Sequence, residues 1–147
     1  MLMNGVQSYR KTNVITADPK RLVILCYEGA IDNLKMARER YRQKDYEGKC
    51  KSVKKALDII DEMLCSLDFE KGGAIARNLK SIYNYMTRRI IQADVNKDVT
   101  GFDEVIGLLN ELKSAWEAIT YGRNIQIDSA RTGRGRELKQ ASGSISI

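Results

Sequence analysis

The sequence contains no histidine. That removes imidazole as a general base, as a proton shuttle and as a metal ligand. It holds one proline, Pro19, in 147 residues, so long helices can run without an interior break. No apolar run approaches the roughly 20 residues a membrane-spanning helix needs. The opening Met1-Leu2-Met3-Asn4-Gly5 has neither the basic nor the apolar region of a secretory signal. Membrane insertion is therefore not expected. Cysteine is sparse: Cys26, Cys50 and Cys65 are an odd set in no metal-ligand spacing. Each lies within or beside an apolar helical stripe, so all three are expected to be reduced, buried small hydrophobes in a cytoplasmic protein. Nothing in the sequence calls for a cofactor.

What is present suits a soluble globular chain: 43% hydrophobic and 30% charged residues. The length fits one domain with a sizeable core. The net charge is +6, and half of that excess lies past residue 122, where Arg123, Arg131, Arg134, Arg136 and Lys139 face only Asp128 and Glu137. The rest of the chain is only mildly basic, which weakens a simple nucleic-acid reading.

Apolar periodicity predicts four helices. Asp18-Pro19 is a strong helix start, and helix A is expected from Pro19 to Gln43 with Ile24, Tyr27, Ile31, Leu34 and Tyr41 on one face. Asp45 caps helix B, Tyr46 to Leu67, whose seam Tyr46, Cys50, Val53, Leu57, Ile60, Leu64, Leu67 has the 3.5-residue period of bundle packing. A turn over Asp68–Gly73 leads into helix C, Ala74 to Asn96, with Ile75, Leu79, Ile82, Met86 and Ile90 in its stripe. Thr100, with Asp103 three residues on, is expected to cap helix D, which continues through Phe102, Val105, Leu109, Leu112 and Trp116 to a stop at Tyr121-Gly122. The fold class is all-α, an antiparallel up-and-down four-helix bundle over residues 18–122. A short N-terminal helical segment, residues 1–17, is expected to pack on it, and residues 123–147 read as a flexible, disordered tail.

The enzyme expected of such a bundle is a di-metal carboxylate protein, but its Glu-x-x-His motifs cannot exist without histidine. No phosphate-cradling motif is present. Arg38, Arg40, Arg42 and Lys44 end helix A, and Lys49, Lys51, Lys54 and Lys55 follow in helix B. They are readable as an anion site or as ordinary helix-end cations with i,i+4 partners such as Glu47–Lys51. The more informative feature is surplus apolar surface. The first half of helix A is apolar nearly all round, where a surface helix has one stripe. Leu22, Val23, Leu25, Cys26 and Ala30, with Leu79, Ile82, Tyr83 and Met86 opposite, imply a wide core, burial under the N-terminal segment, or a groove for another chain.

Several dispersed motifs, in order, resemble the flagellin export chaperone family FliS. They are Tyr9 followed by Val14-Ile15-Thr16-Ala17-Asp18-Pro19, then Leu25-Cys26-Tyr27-Glu28-Gly29-Ala30-Ile31. Leu67-Asp68, Gly72-Gly73, Ala76-Arg77-Asn78-Leu79, Tyr83-Asn84-Tyr85-Met86, Arg88-Arg89, Ala93-Asp94 and Ala115-Trp116 complete the set. Asp18 and Glu28 stand where the family often has Ser and Asp. The resemblance implies a non-enzyme that binds the disordered C-terminal segment of flagellin, prevents premature polymerisation, and delivers it to a component of the flagellar type III export apparatus. It implies client-binding residues among Val6, Tyr9, Leu22, Leu25, Cys26, Tyr27, Ala30, Asn78, Leu79, Ile82, Tyr83 and Met86, with the Val6–Tyr9 segment as a cover for the site. A monomer or weak dimer is expected, and nucleic acid is not expected as a partner. The alternative reading is a basic helical adaptor for nucleic acid or another protein.

Overall fold

The computed structural model describes residues 18–122. The expected N-terminal segment, with Val6 and Tyr9, and the tail from Arg123 lie outside the described residues. Those described form four α-helices: α1 (Pro19–Arg42), α2 (Tyr46–Cys65), α3 (Phe69–Val95) and α4 (Val99–Tyr121). Each helix packs on its neighbour in the chain, and α1 also packs on α4, which closes the ring. This is the expected four-helix bundle.

Local chemistry sets the helix ends. Asp18 accepts the Arg21 N–H at 2.8 Å and Pro19 occupies the first turn, a cap that satisfies one orphan donor and sacrifices none. The turns after α1 and α3 are built alike. Lys44 and Lys97 take left-handed φ of 62° and 56°. Asp45 N donates to Arg40 O and Asp98 N to Ala93 O, both at 2.9 Å. Lys44 N and Lys97 N donate to Tyr41 O and Asp94 O. These are Schellman closures, and in each the closing aspartate also caps the next helix. Asp98, not the expected Thr100, starts α4: its carboxylate accepts from Thr100 N at 3.1 Å and from the Thr100 hydroxyl at 2.5 Å. The repeated string Gln43-Lys44-Asp45 and Asn96-Lys97-Asp98 carried that signal. The third turn differs. Asp68 caps a single helical turn, and the chain breaks at Gly73 (φ 51°, ψ −125°) before α3 proper begins. Only glycine takes that backbone geometry without strain.

The core is a continuous cluster from all four helices, including Ile24, Leu34, Ile60, Met86, Ile90 and Leu109, each at most 1% exposed. On α1, α3 and α4 it follows the expected stripes closely. On α2 the buried face is Gly48, Ser52, Val53, Ala56, Ile59, Ile60 and Met63, rotated from the expected seam. Gly48, Ser52 and Ala56 recur every four residues and form a low ridge against α1, the helix packed most extensively on α2. Tyr46 and Cys50 are thereby left exposed. The expectation of three buried cysteines therefore fails: none forms a disulfide, but Cys50 and Cys65 are exposed and Cys26 is half-buried.

Candidate polypeptide-binding cleft

The two ends of the bundle differ. At the end holding the two Schellman turns, ion pairs join all four helices. Arg38 of α1 meets Asp103 of α4 at 2.6 Å, and Lys49 of α2 meets Asp94 of α3. Arg89 of α3 reaches Glu104 at 2.8 Å and Asp98 at 3.6 Å on α4. Tyr85 also donates to Glu104. The Tyr85 hydrogen bond and Arg89 hold the Glu104 carboxyl below its ordinary range, and the Thr100 hydroxyl does the same for Asp98. Burial pulls the Lys49 ammonium down, but Asp94 outweighs it and leaves the pKa raised. Lys51 and Lys54 pair along their own helix with Glu47 and Asp58. Of the basic cluster noted in the sequence, Arg38 and Lys49 tie helices together here, while Lys51 and Lys54 pair within α2.

At the opposite end, the first half of α1, the end of α2, the start of α3 proper and Trp116 of α4 surround an open cleft of about 260 Å³. Pro19, Leu22, Val23 and Cys26 form one wall, and Ala76, Leu79 and Tyr83 another. Met63 and Leu67 add apolar surface at the α2 edge, beside Glu62, Ser66 and Asp68. The volume falls below the roughly 300–1,000 Å³ of small-molecule pockets. It suits a few apolar anchors projecting from another chain.

The cleft takes up part of the surplus apolar face of α1. Leu22, Val23 and Cys26 line it half-buried, with Val23 and Cys26 also packed against the core. Of the residues the sequence nominated, Leu22, Cys26, Leu79 and Tyr83 come together there. Leu25, Tyr27, Ala30 and Met86 are core residues, between 0% and 7% exposed. Ile82 is half-buried against the core and Asn78 is exposed. Val6 and Tyr9 lie outside the described residues. The cleft residues not nominated are Pro19, Val23, Ala76 and Trp116, and the α2–α3 corner from Glu62 to Asp68.

Behind the cleft, a polar contact crosses the bundle diagonal. The Tyr27 and Tyr83 hydroxyls lie 2.7 Å apart, and their rings meet edge to face at 6.4 Å. Burial is the main cause of both pKa shifts: Tyr83 is pushed up to about 12, and Tyr27 is raised well above its ordinary value, with help from Tyr83 and a partial offset from the Trp116 indole. Both remain neutral phenols, able to bond each other, throughout the physiological range. The cleft floor is therefore pinned from below.

Among the described residues, no group of three or more His, Cys, Asp or Glu could hold a metal ion, and no helix is long and apolar enough to cross a membrane.

Comparison with known proteins places this geometry in context. The sequence profile of the family described as "Flagellar protein FliS" matches residues 2–123. The flagellar secretion chaperone FliS of Salmonella typhimurium is 38% identical over 122 residues, covering 80% of this chain and 90% of the relative. The flagellar secretion chaperone FliSB of Pseudomonas aeruginosa is 33% identical over 123 residues, covering 81% and 98%. The flagellar secretion chaperone FliS of Vibrio cholerae is 34% identical over 122 residues, covering 80% and 90%.

Proposed function

The chain belongs to the FliS family, and from that premise we propose that it is a flagellin export chaperone whose cleft receives the disordered C-terminal segment of flagellin. The observation that carries this reading is the apolar cleft between α1, α2 and α3, lined by the half-buried Leu22, Val23 and Cys26 of α1. A client segment seats apolar side chains at helical spacing between Leu22 and Leu79 and buries them. Each square ångström of apolar surface removed from water contributes roughly 25 cal/mol. Ordering the client costs several kcal/mol in opposition, so binding is firm but reversible. That balance fits a cytoplasmic escort that shields a polymerisation-prone segment and then yields it to the export apparatus. No chemical step is involved; the work is non-catalytic. Before the client arrives, the chain's own segment around Val6 and Tyr9, which joins α1 at the cleft rim through Pro19, covers the site and lowers the apparent affinity for casual partners.

Titration calorimetry with the C-terminal peptide of flagellin tests the proposal. Saturable 1:1 binding is expected, with a gain of helix by circular dichroism. Leu22→Glu, at a half-buried position, is expected to weaken binding by tenfold or more while the bundle's thermal transition is kept. A flagellin peptide that does not bind, or that binds Leu22→Glu equally well, refutes the assignment. Against the basic-adaptor reading, Arg38 and Lys49 are engaged in cross-helix ion pairs.

A further inference from the structure

α3 is apolar on two sides. One side enters the core through Leu79, Tyr83, Met86, Ile90 and Ala93. The other keeps Tyr85, Ile91 and Val95 at 40%, 47% and 73% exposure. Tyr85, Arg88, Gln92 and Val95 follow one another at three- and four-residue steps, so they share an outward face, with Ile91 beside them. Tyr85, Arg88, Arg89, Ile91 and Gln92 line an open trough of about 500 Å³. Isolated apolar side chains on a surface are ordinary, but a cluster of them marks a contact. The charge of this face has one sign. From Ala74 to Val95 the helix carries Arg77, Lys80, Arg88 and Arg89 against a single carboxylate, Asp94, which Lys49 holds. Arg89 is held by Glu104 and Asp98. Arg88 is exposed and makes no ion pair or hydrogen bond with a described residue. Arg77, also exposed, stands about three turns before it on the same face. Neither segment outside the described residues complements that charge: residues 1–17 contain no Asp or Glu, and past residue 122 the basic residues outnumber the acidic.

We propose that the outer face of α3 from Tyr85 to Val95 is a second docking surface, and that it takes an acidic amphipathic helix of another protein. The face is about 15 Å long, room for three turns of a partner helix. Apolar side chains of the partner cover Ile91, Val95 and the Tyr85 ring. Its carboxylates meet the unpaired Arg88, whose planar fork of donors matches a carboxylate, and Arg77 beyond it. Burial supplies the affinity, and Arg88 supplies the sign, because a basic segment would be repelled. A nucleic acid fits less well. It needs a continuous basic track with aromatic platforms, whereas here aliphatic side chains separate the cations and Glu104 borders the one aromatic ring through its bond to Tyr85. None of these residues lines the cleft, which takes Ala76, Leu79 and Tyr83 from the inner side of the helix. The two surfaces can therefore be filled at once, whatever the cleft holds.

The test uses the full chain, alone and with the C-terminal peptide of flagellin, and three probes. One is a helical peptide with leucines on one face and glutamates elsewhere, the second has lysine in place of glutamate, and the third is an oligothymidylate. Amide chemical shifts followed by NMR should move along Tyr85–Val95 with the glutamate peptide, with and without the flagellin peptide, and stay put with the lysine peptide. Arg88→Glu/Ile91→Ser changes two exposed side chains. It should weaken the glutamate peptide by about tenfold or more and leave the thermal midpoint and the flagellin-peptide affinity unchanged. Lys35→Glu, the same charge reversal at an exposed position of α1, should change little. A glutamate peptide that does not bind, or whose shifts spread over the exposed cations of the whole bundle, overturns the proposal. So does an effect of Lys35→Glu as large as that of the double variant. Tighter binding of the oligothymidylate at this face assigns it to nucleic acid instead. Loss of flagellin-peptide affinity in Arg88→Glu/Ile91→Ser makes the face part of the client site and overturns the separate partner.

Discussion

Replacing Tyr83 by Phe removes one oxygen from the diagonal hydroxyl pair, and its effect can be worked out in both stability and pH. Tyr27 is fully buried and Tyr83 is 2% exposed, so water cannot replace the lost partner. Leaving the Tyr27 hydroxyl without Tyr83 costs about 1–3 kcal/mol. At about 4 °C per kcal/mol for a domain of this size, the thermal midpoint falls by about 4–12 °C. Tyr27→Phe/Tyr83→Phe removes both hydroxyls, so its destabilisation should be smaller than the sum of the two singles. The alkaline limb gives a second reading. Tyr83 has its pKa raised from 10.0 to about 12. The folded state therefore holds its proton more tightly than the unfolded state does. The stability this represents is complete below pH 10 and is lost as pH rises from 10 toward 12. At 1.36 kcal/mol per unit, Tyr83 accounts for a loss of about 3 kcal/mol across that window. Tyr27 adds to the loss in the same direction. The double phenylalanine variant should be missing this part of the alkaline decline. Urea unfolding followed by the single tryptophan, Trp116, measures both effects. Additive single and double variants, or alkaline limbs that superimpose on the wild type, refute the coupled, buried pair.

Three other outcomes are expected. Gly101→Ala should destabilise the fold by about 1–3 kcal/mol, because a Cβ there would stand 2.4 Å from the Ala93 Cβ and 2.8 Å from Arg89 Nη1; an unchanged urea midpoint contradicts so close an α3–α4 approach. Lys97→Gly should raise stability by about 0.5–1 kcal/mol, since a left-handed lysine is strained where glycine is not; a lower thermal midpoint is the opposing result. The pKa values of Asp98 and Glu104 are lowered from 3.8 and 4.5, so the stability they contribute is present above the unfolded values and lost as pH falls through the folded ones. Glu104→Gln should therefore be less stable than wild type near pH 6 and converge with it in acid; curves that stay parallel argue against a role for the Tyr85–Glu104–Arg89 cluster.

The helices were legible because their signals are local. Asp18-Pro19, Asp45 and the stripes from Ile24 to Leu34 and from Phe102 to Trp116 depend on neighbours within one helix. The α2 seam was less legible. Its burial depends on how near α1 comes, and that is set by Gly48, Ser52 and Ala56, small residues that apolar counting passes over. The same limit applied to the cleft. Periodicity showed that α1 has too much apolar surface, but not which residues the core takes. Tyr27 and Ala30 go inward, while Leu22, Val23 and Cys26 stay at the surface of the cleft. Glu62 and Asp68 carry no one-dimensional sign of facing an apolar wall; their placement follows from the α2–α3 corner meeting the first turns of α1.

The sealed end gives the bundle a mechanical character. α1–α2 and α3–α4 are two hairpins, each closed by a stiff Schellman turn at the same end and clamped there by ion pairs. Among neighbouring helices, α2 and α3 share the least extensive packing, and Gly73 interrupts the chain beside them. Trp116 lies about 22 Å along α4 from Gly101, beside the clamped end, at 1.5 Å per residue. A relative rotation of about 3° opens the cleft mouth by about 1 Å over such an arm. The ion pairs and the two Schellman turns thus hold one end of the bundle, whereas the sparser α2–α3 packing lies beside the cleft at the other.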